Sequence, residues 1–309
     1  MRRKMKVALA LGGGAARGLA HIGILEVFQE EKFPVDIVAG TSMGAIIGAM
    51  YAADPDLPAI RQRFRDYLVS PEFKQAKFDF IKDKDEVEGE GIFYKFSQFA
   101  RKSLFLTNTI TRRAFLSEQT SHSNLAFLVP DRAIETIRIP FCATAMDLIA
   151  GEEYLFTSGS LQQALRASCA IPGIMPPLEW QGRQLVDGGW INAIPVRPAR
   201  QLGADFVVAV DVGRDITEFD PPRSALDIVF RADAITRHAL SRQRLSEADY
   251  VLCPSTGRTH WADFARMDEL IDSGRREALQ HLDELRRQLK RRRLKYFFLG
   301  GEKSSGQPA

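Results

Sequence analysis

Three short stretches of this chain combine residue types and spacings that could do chemistry. The first is Gly40-Thr41-Ser42-Met43-Gly44, a G-x-S-x-G sequence standing where an apolar run ends and a small-residue run suited to a helix begins. A serine on a tight strand-to-helix turn is held in a strained backbone conformation. Glycines two residues to either side, Gly40 and Gly44, remove the side chains that would collide across such a turn. Ser42 would then face solvent at the positive end of a helix, where backbone N–H groups stabilise the charge that develops on an attacked carbonyl oxygen. That placement suits acyl transfer. The plainer reading of the same five residues is a glycine-flanked turn with an N-capping serine.

The second stretch is Gly12-Gly13-Gly14-Ala15-Ala16-Arg17-Gly18, which follows one apolar run and opens a helical one. Its N–H groups would point past the carboxyl edge of a sheet and bind an anion or an oxyanion. A dinucleotide loop has the same location, but Arg17 stands where the third glycine of G-x-G-x-x-G would fall. Asp36 would open a strand where a ribose-binding acid ends one. No Gly-Lys-Ser/Thr follows for a phosphate loop. Arg17 reads either as an anion-facing or structural group or as a surface cation. The third stretch, Leu185-Val186-Asp187-Gly188-Gly189, puts a carboxylate at the end of an apolar run, before two glycines that let the chain turn. If Asp187 lies near Ser42 in a partly dry cleft, desolvation raises its proton affinity toward the range of a general base.

These groups need a scaffold, and the sequence supplies one. Val7 to Leu11 reads as a buried strand, Gly18 to Glu31 as a helix, Asp36 to Gly40 as a strand and Met43 to Ala53 as a helix. That alternation predicts a parallel sheet with right-handed crossovers. Sheet-like sequence returns at Pro140 to Asp147, Gln184 to Val186, Phe206 to Val212 and Tyr250 to Cys253. The expected fold is a three-layer α/β/α arrangement with a mainly parallel central sheet. In domain terms, residues 1–255 form the catalytic domain, carrying a helical insertion or cap at about residues 60–138. Within that insertion fall Phe73, Phe78, Phe80, Phe93, Phe96, Phe99 and Phe105 and the charge run Lys82 to Glu90. A helical extension with a basic face follows at 256–299, built on one long helix from Met267 to Leu294, and a disordered tail at 300–309.

Composition bounds the class. With 309 residues, 45% hydrophobic and 26% charged, the chain is a folded globular protein, and a formal net charge of +3 is too small to indicate nucleic-acid binding. Three cysteines, Cys142, Cys169 and Cys253, form no C-x-x-C pair, which argues against a disulfide framework or a thiolate metal site and for a reducing compartment. The apolar run after the basic MRRKMK start is too short for a signal-peptide core, and no run approaches the roughly 18 apolar residues of a membrane span. The expectation is a cytoplasmic protein with, at most, peripheral contact at the inner membrane face. Arg286, Arg287, Lys290, Arg291, Arg292, Arg293 and Lys295, followed by Tyr296, Phe297 and Phe298, are the residues for such contact. A solvated basic helix face is the plainer alternative. Oligomeric state is not legible.

The strings LGGGAARGLAHIGIL, GTSMGA, ASCAIPGIMPP and the DGG at Asp187 resemble, in order and spacing, the four signatures of patatin-like phospholipases, the compact bacterial members above all. The resemblance covers about residues 5–215. It implies hydrolysis of lipid acyl esters by a Ser-Asp dyad, without histidine, metal or organic cofactor. Carried onto this sequence, Ser42 is the nucleophile, Asp187 the general base, and Gly12, Gly13, Gly14 and Ala15 the oxyanion loop. Two positions depart from the family pattern: Ala15 stands where glycine is frequent, and DGG where many members have DGA. Two other readings compete. One is an α/β-hydrolase with a Ser-Asp-His triad, which would need His122, His238, His260 or His281 downstream of the elbow; His21 lies upstream. The other is a non-enzymatic lipid-surface or regulatory protein on the same scaffold.

Overall fold

A computed structural model describes residues 3–76, 114, 116–213, 222, 225–257 and 259–298. The expected insertion falls partly outside these residues, including Phe78, Phe80, Phe93, Phe96, Phe99, Phe105 and the charge run, and so does the tail from 300 onward.

The centre is an eight-stranded sheet in the order β5-β6-β3-β2-β1-β7-β8, with β4 pairing β3 off that path. The strands are β1 (Val7–Leu11), β2 (Ile37–Thr41), β3 (Phe141–Asp147), β4 (Glu152–Phe156), β5 (Leu178–Trp180), β6 (Arg183–Asp187), β7 (Phe206–Val210) and β8 (Tyr250–Leu252). Strands β3, β2, β1, β7 and β8 are parallel neighbours, while β4, β5 and β6 join antiparallel. The parallel core is what the alternation of β-rich and helical runs implied. β1 is buried at all five positions, as expected of a parallel strand covered on both faces.

Its residues divide between two cores. Val7, Leu9 and Leu11 belong to a large cluster and Ala8 and Ala10 to a small one, the strict alternation of a pleated strand. The large cluster lies under helices α1 (Ala20–Glu30), α2 (Met43–Ala53) and α3 (Leu57–Val69), with the short α4 (Pro71–Ala76), α5 (Glu118–Leu128) and α6 (Leu161–Ser168). The strands offer the other face mostly small residues, Ala8, Ala10, Ala39, Cys142 and Ala209 beside Ile37 and Val207, and α7 (Val196–Gln201) packs there through Val196 and Ala199. Helix α8 (Ala225–Leu245) reaches this cluster at its C-terminal end through Leu245.

Helix α9 (Met267–Phe298) is four residues longer than the sequence pattern suggested, and its N-terminal half is part of the core. It crosses α1 at two glycines. A Cβ on Gly274 would run into the carbonyl oxygen of Ala20, and one on Gly23 into that of Ile271. Arg275 adds pairs to Glu26 and Glu30, and Arg286 reaches the carboxylate and carbonyl of Glu31. Beyond Leu289, the last buried residue of α9, Lys290 to Lys295 are exposed. This end lies near Glu31 and Arg3, on the edge of the sheet where the parallel strands begin. Among the described residues no helix is long and apolar enough to cross a membrane.

Candidate active site

β2 runs directly into α2 with only Ser42 between them. Ser42 has φ +54° and ψ −124°, a strained conformation for a residue with a side chain. It persists because neighbours fix it from several sides. The Ser42 carbonyl accepts from the N–H of Ala45 at 2.8 Å and of Ile46 at 3.1 Å, and the Ser42 N–H donates to Ser168 Oγ at 2.9 Å. A Cβ on Gly40 would strike the backbone of Ala45, and one on Gly44 the carbonyl oxygen of Leu11. The two glycines therefore let α2 press against β1 and β2 at the turn.

Asp187 reaches the same place by a change of partner along one strand. Ala143 and Thr144 of β3 pair with β4 on one side and with β2 on the other, ending at Thr41↔Thr144. From Ala145 onward β4 remains and β6 takes over the edge that β2 has vacated, beginning at Ala145↔Asp187. The last residue of β2 and the last residue of β6 thus face consecutive residues of β3. This brings Ser42 close enough to Asp187 to bear on the charge of its carboxyl. Asp187 is 3% exposed and Ser42 7%. Burial pushes the Asp187 carboxyl up to about 6 from an ordinary 3.8, against the opposing pull of Ser42, the Gly189 N–H and the Arg237 charge. The Gly189 N–H donates to Asp187 Oδ1 at 2.7 Å as the chain turns through Gly188–Trp190.

The glycine loop lies against the serine. Gly13 is so close that a Cβ there would sit 3.3 Å from Ser42 Cβ. Not all of its N–H groups are available, however. Gly12 donates to Val210 O at 3.0 Å and Gly13 to Ala193 O at 2.9 Å. The N–H groups of Gly14 and Ala15 have no acceptor among the described residues. The expected oxyanion loop, Gly12 to Ala15, is therefore divided into two anchoring amides and two open ones. Ala15 has φ +47°, the region that favours glycine, at the position where family members frequently have one. Arg17 is half-buried in the 3-10 turn Ala15–Leu19 that precedes α1.

Two contributors to the site were not recognised from sequence. Ser168, at the end of α6, has no exposed surface and holds the Ser42 N–H; it lies in the ASCAIPGIMPP stretch, whose order in the chain was the available signal. His21, read as an ordinary structural or surface histidine, is fully buried with Nε2 2.7 Å from Gly12 O. Desolvation lowers its pKa to about 4, so it is neutral, donates from Nε2 and ties α1 to the glycine loop. Two of the four downstream histidines have partners elsewhere: His281 Nδ1 with the Tyr250 hydroxyl at 2.9 Å, and His260 Nδ1 with the Ala262 N–H at 3.2 Å. His122 lies on α5 and His238 on α8. The groups that act on the Asp187 carboxyl include no histidine.

A serine elbow at the carboxyl edge of a mainly parallel sheet, with a buried carboxylate beside it, defines a class of α/β protein built to hold a reactive hydroxyl. Within that class the chain belongs to the patatin-like phospholipase family, whose pattern it matches over residues 9–200. It is 30% identical over 295 residues to patatin-like phospholipase domain-containing protein 7 of Rattus norvegicus, covering 87% of this chain and 20% of that one. It is 33% identical over 227 residues to an uncharacterized NTE family protein of Mycobacterium bovis, covering 71% of this chain and 52% of the relative. The chain thus spans about a fifth to a half of the length of these relatives. Among solved structures, VipD from Legionella pneumophila aligns with a TM-score of 0.48 at 14% identity, covering 91% of this chain and 67% of that one.

Proposed function

We propose that this chain is a serine acyl-hydrolase that cleaves lipid acyl esters, with Ser42 as nucleophile and Asp187 as its base. The observation that carries this reading is the buried Asp187 carboxyl that the strand pairing sets beside a serine held at positive φ. Ser42 Oγ attacks the ester carbonyl carbon while its proton passes to Asp187. The resulting oxyanion is stabilised by the open amides of Gly14 and Ala15, with the Met43 N–H at the start of α2 completing a positive rim. Collapse breaks the bond to the leaving oxygen, which takes the proton from Asp187 and departs as an alcohol. Water, deprotonated by Asp187, then attacks the acyl-Ser42 carbonyl, and collapse breaks the acyl–Oγ bond, releasing the acid while Asp187 returns the proton to Ser42 Oγ. A carboxyl with a pKa near 6 is ionised at neutral pH yet basic enough to accept a proton in the transition state. The lipid nature of the substrate rests on family membership and on the names phospholipase and esterase borne by relatives.

The test is hydrolysis of p-nitrophenyl acyl esters and phospholipid vesicles by wild type, Ser42→Ala and Asp187→Asn, each checked for folding by circular dichroism. Activity in wild type and its loss in both folded variants supports the reading. Equal inactivity of all three on every ester moves the non-enzymatic lipid-surface reading ahead. Activity that survives in Asp187→Asn but falls with a histidine replacement favours a triad.

A further inference from the structure

Two separate elements carry exposed apolar side chains past the edge of the sheet that holds Ser42. The first is the tip of the β3–β4 hairpin. β3 runs parallel to β2, Thr144 is level with Thr41, and the chain continues beyond Asp147 to Leu148 and Ile149, 48% and 65% exposed. At about 3.3 Å per residue, the end of β3 at Asp147 stands roughly 10 Å beyond the level of Thr41, and Leu148 and Ile149 lie in the turn that caps it. The second is the N-terminal half of α8. Its far end is fixed low on the sheet, where Asp249 N–H donates to Val207 O and Arg197 pairs with Glu247. Midway, Arg237 lies over the Trp190 ring at 4.7 Å and its charge reaches Asp187, so this point of the helix is level with the site. Ile228, Val229 and Phe230, 58%, 62% and 67% exposed, come seven to nine residues earlier. At 1.5 Å per residue they stand roughly 10–13 Å farther out than Arg237, beyond the carboxyl edge.

We infer that the hairpin tip Leu148–Ile149 and the α8 crest Ile228–Phe230 form the surface by which this protein seats its catalytic edge on a lipid aggregate. The inference rests on the proposed lipid-ester hydrolysis and names the physical form of its substrate. Isolated exposed apolar residues need no explanation, but two groups on the rim of one site do. Their continuity with the site, through the Trp190–Arg237 stack, selects the occupant. A surface of ester lipids would place acyl chains beside Ser42 as it covers both groups. The basic end of α9 lies on the opposite edge of the sheet, near Arg3 and Glu31, and cannot touch the same plane of lipid while the site faces it.

The experiment compares wild type with the double variant Ile149→Ser/Phe230→Ser and with Lys290→Gln/Arg291→Gln/Arg292→Gln. Each is measured for cosedimentation with phosphatidylcholine–phosphatidylglycerol vesicles and for the ratio of vesicle to p-nitrophenyl butyrate hydrolysis. The apolar variant is expected to lose vesicle binding by roughly tenfold or more and to lower the rate ratio similarly, while the charge variant keeps both. Binding and ratio within twofold of wild type in the apolar variant overturn the inference, and so does loss confined to the charge variant. A wild-type dimer that the apolar variant abolishes, with vesicle binding retained, overturns it in favour of a second copy as the occupant. Cosedimentation is read without hydrolysis, and Ser42→Ala should bind vesicles like wild type. Failure of the docking surface is thereby separated from failure of the proposed reaction.

Discussion

At the scale of single residues, the proposed chemistry depends most on Asp187. In the proposed role its carboxyl is ionised when it accepts the Ser42 proton, and burial lifts its pKa to about 6. The pH profile of kcat/KM should therefore fall on the acid side with an apparent pKa near 6, and stopped-time ester assays from pH 4 to 9 measure this directly. The stability consequence has the opposite sense. A carboxyl raised in the folded state from 3.8 to about 6 favours folding at low pH, and that advantage disappears as pH rises through 6. Asp187→Asn should accordingly be more stable than wild type at pH 8, by at most about 3 kcal/mol, with the gain fading toward pH 4. Denaturant melts at the two pH values show the crossover or refute it. Ala15, at φ +47°, gives a second prediction. Ala15→Gly relieves a left-handed alanine and should raise stability by about 1 kcal/mol in the same melts, less the extra freedom of glycine in the unfolded chain. Ser42, Asp187 and the glycine loop were legible because each sits in a short contiguous pattern. The division of that loop into anchored and open amides was not, since the anchors Val210 and Ala193 lie nearly 200 residues away.

At the scale of elements, the parallel core was readable from apolar runs of the right length, and β1 occupies the five residues expected. Helix α1 begins at Ala20 and not Gly18 because the loop first makes a 3-10 turn over Ala15–Leu19. β4 and β5 escaped the reading: Glu152–Phe156 begins with two acidic residues on an exposed hairpin, and Leu178–Trp180 has only three residues. The larger omission was the role of α9, which sequence presented as a basic extension. Its N-terminal half is held to α1 by the contact of Gly23 and Gly274, which no local pattern could pair across 250 residues. Gly274→Ala should force the two helices apart and cost roughly 1–3 kcal/mol or more, visible as a lower denaturation midpoint and poorer yield of folded protein.

For the whole molecule, the sheet separates two surfaces of different character. The carboxyl edge carries Ser42, Asp187 and exposed apolar side chains, and the amino edge carries the basic end of α9. Net charge of +3 gave no hint of this division, because the edges are distinguished only once strand direction is known. Truncation after Leu289 removes that basic end and, among described residues, only Tyr296 from the packed surface. It should lower Tm by about 2–4 °C, corresponding to roughly 1 kcal/mol, as read by thermal melts, and leave p-nitrophenyl ester hydrolysis intact.

An acyl-Ser42 intermediate can be caught by mass spectrometry of the protein quenched during turnover of a long-chain p-nitrophenyl ester. A Ser42 nucleophile activated by Asp187 gives one acyl group per chain, located on Ser42 by peptide mapping and absent from Asp187→Asn. Hydrolysis that proceeds with no adduct on Ser42, or with the acyl group on another residue, would contradict it.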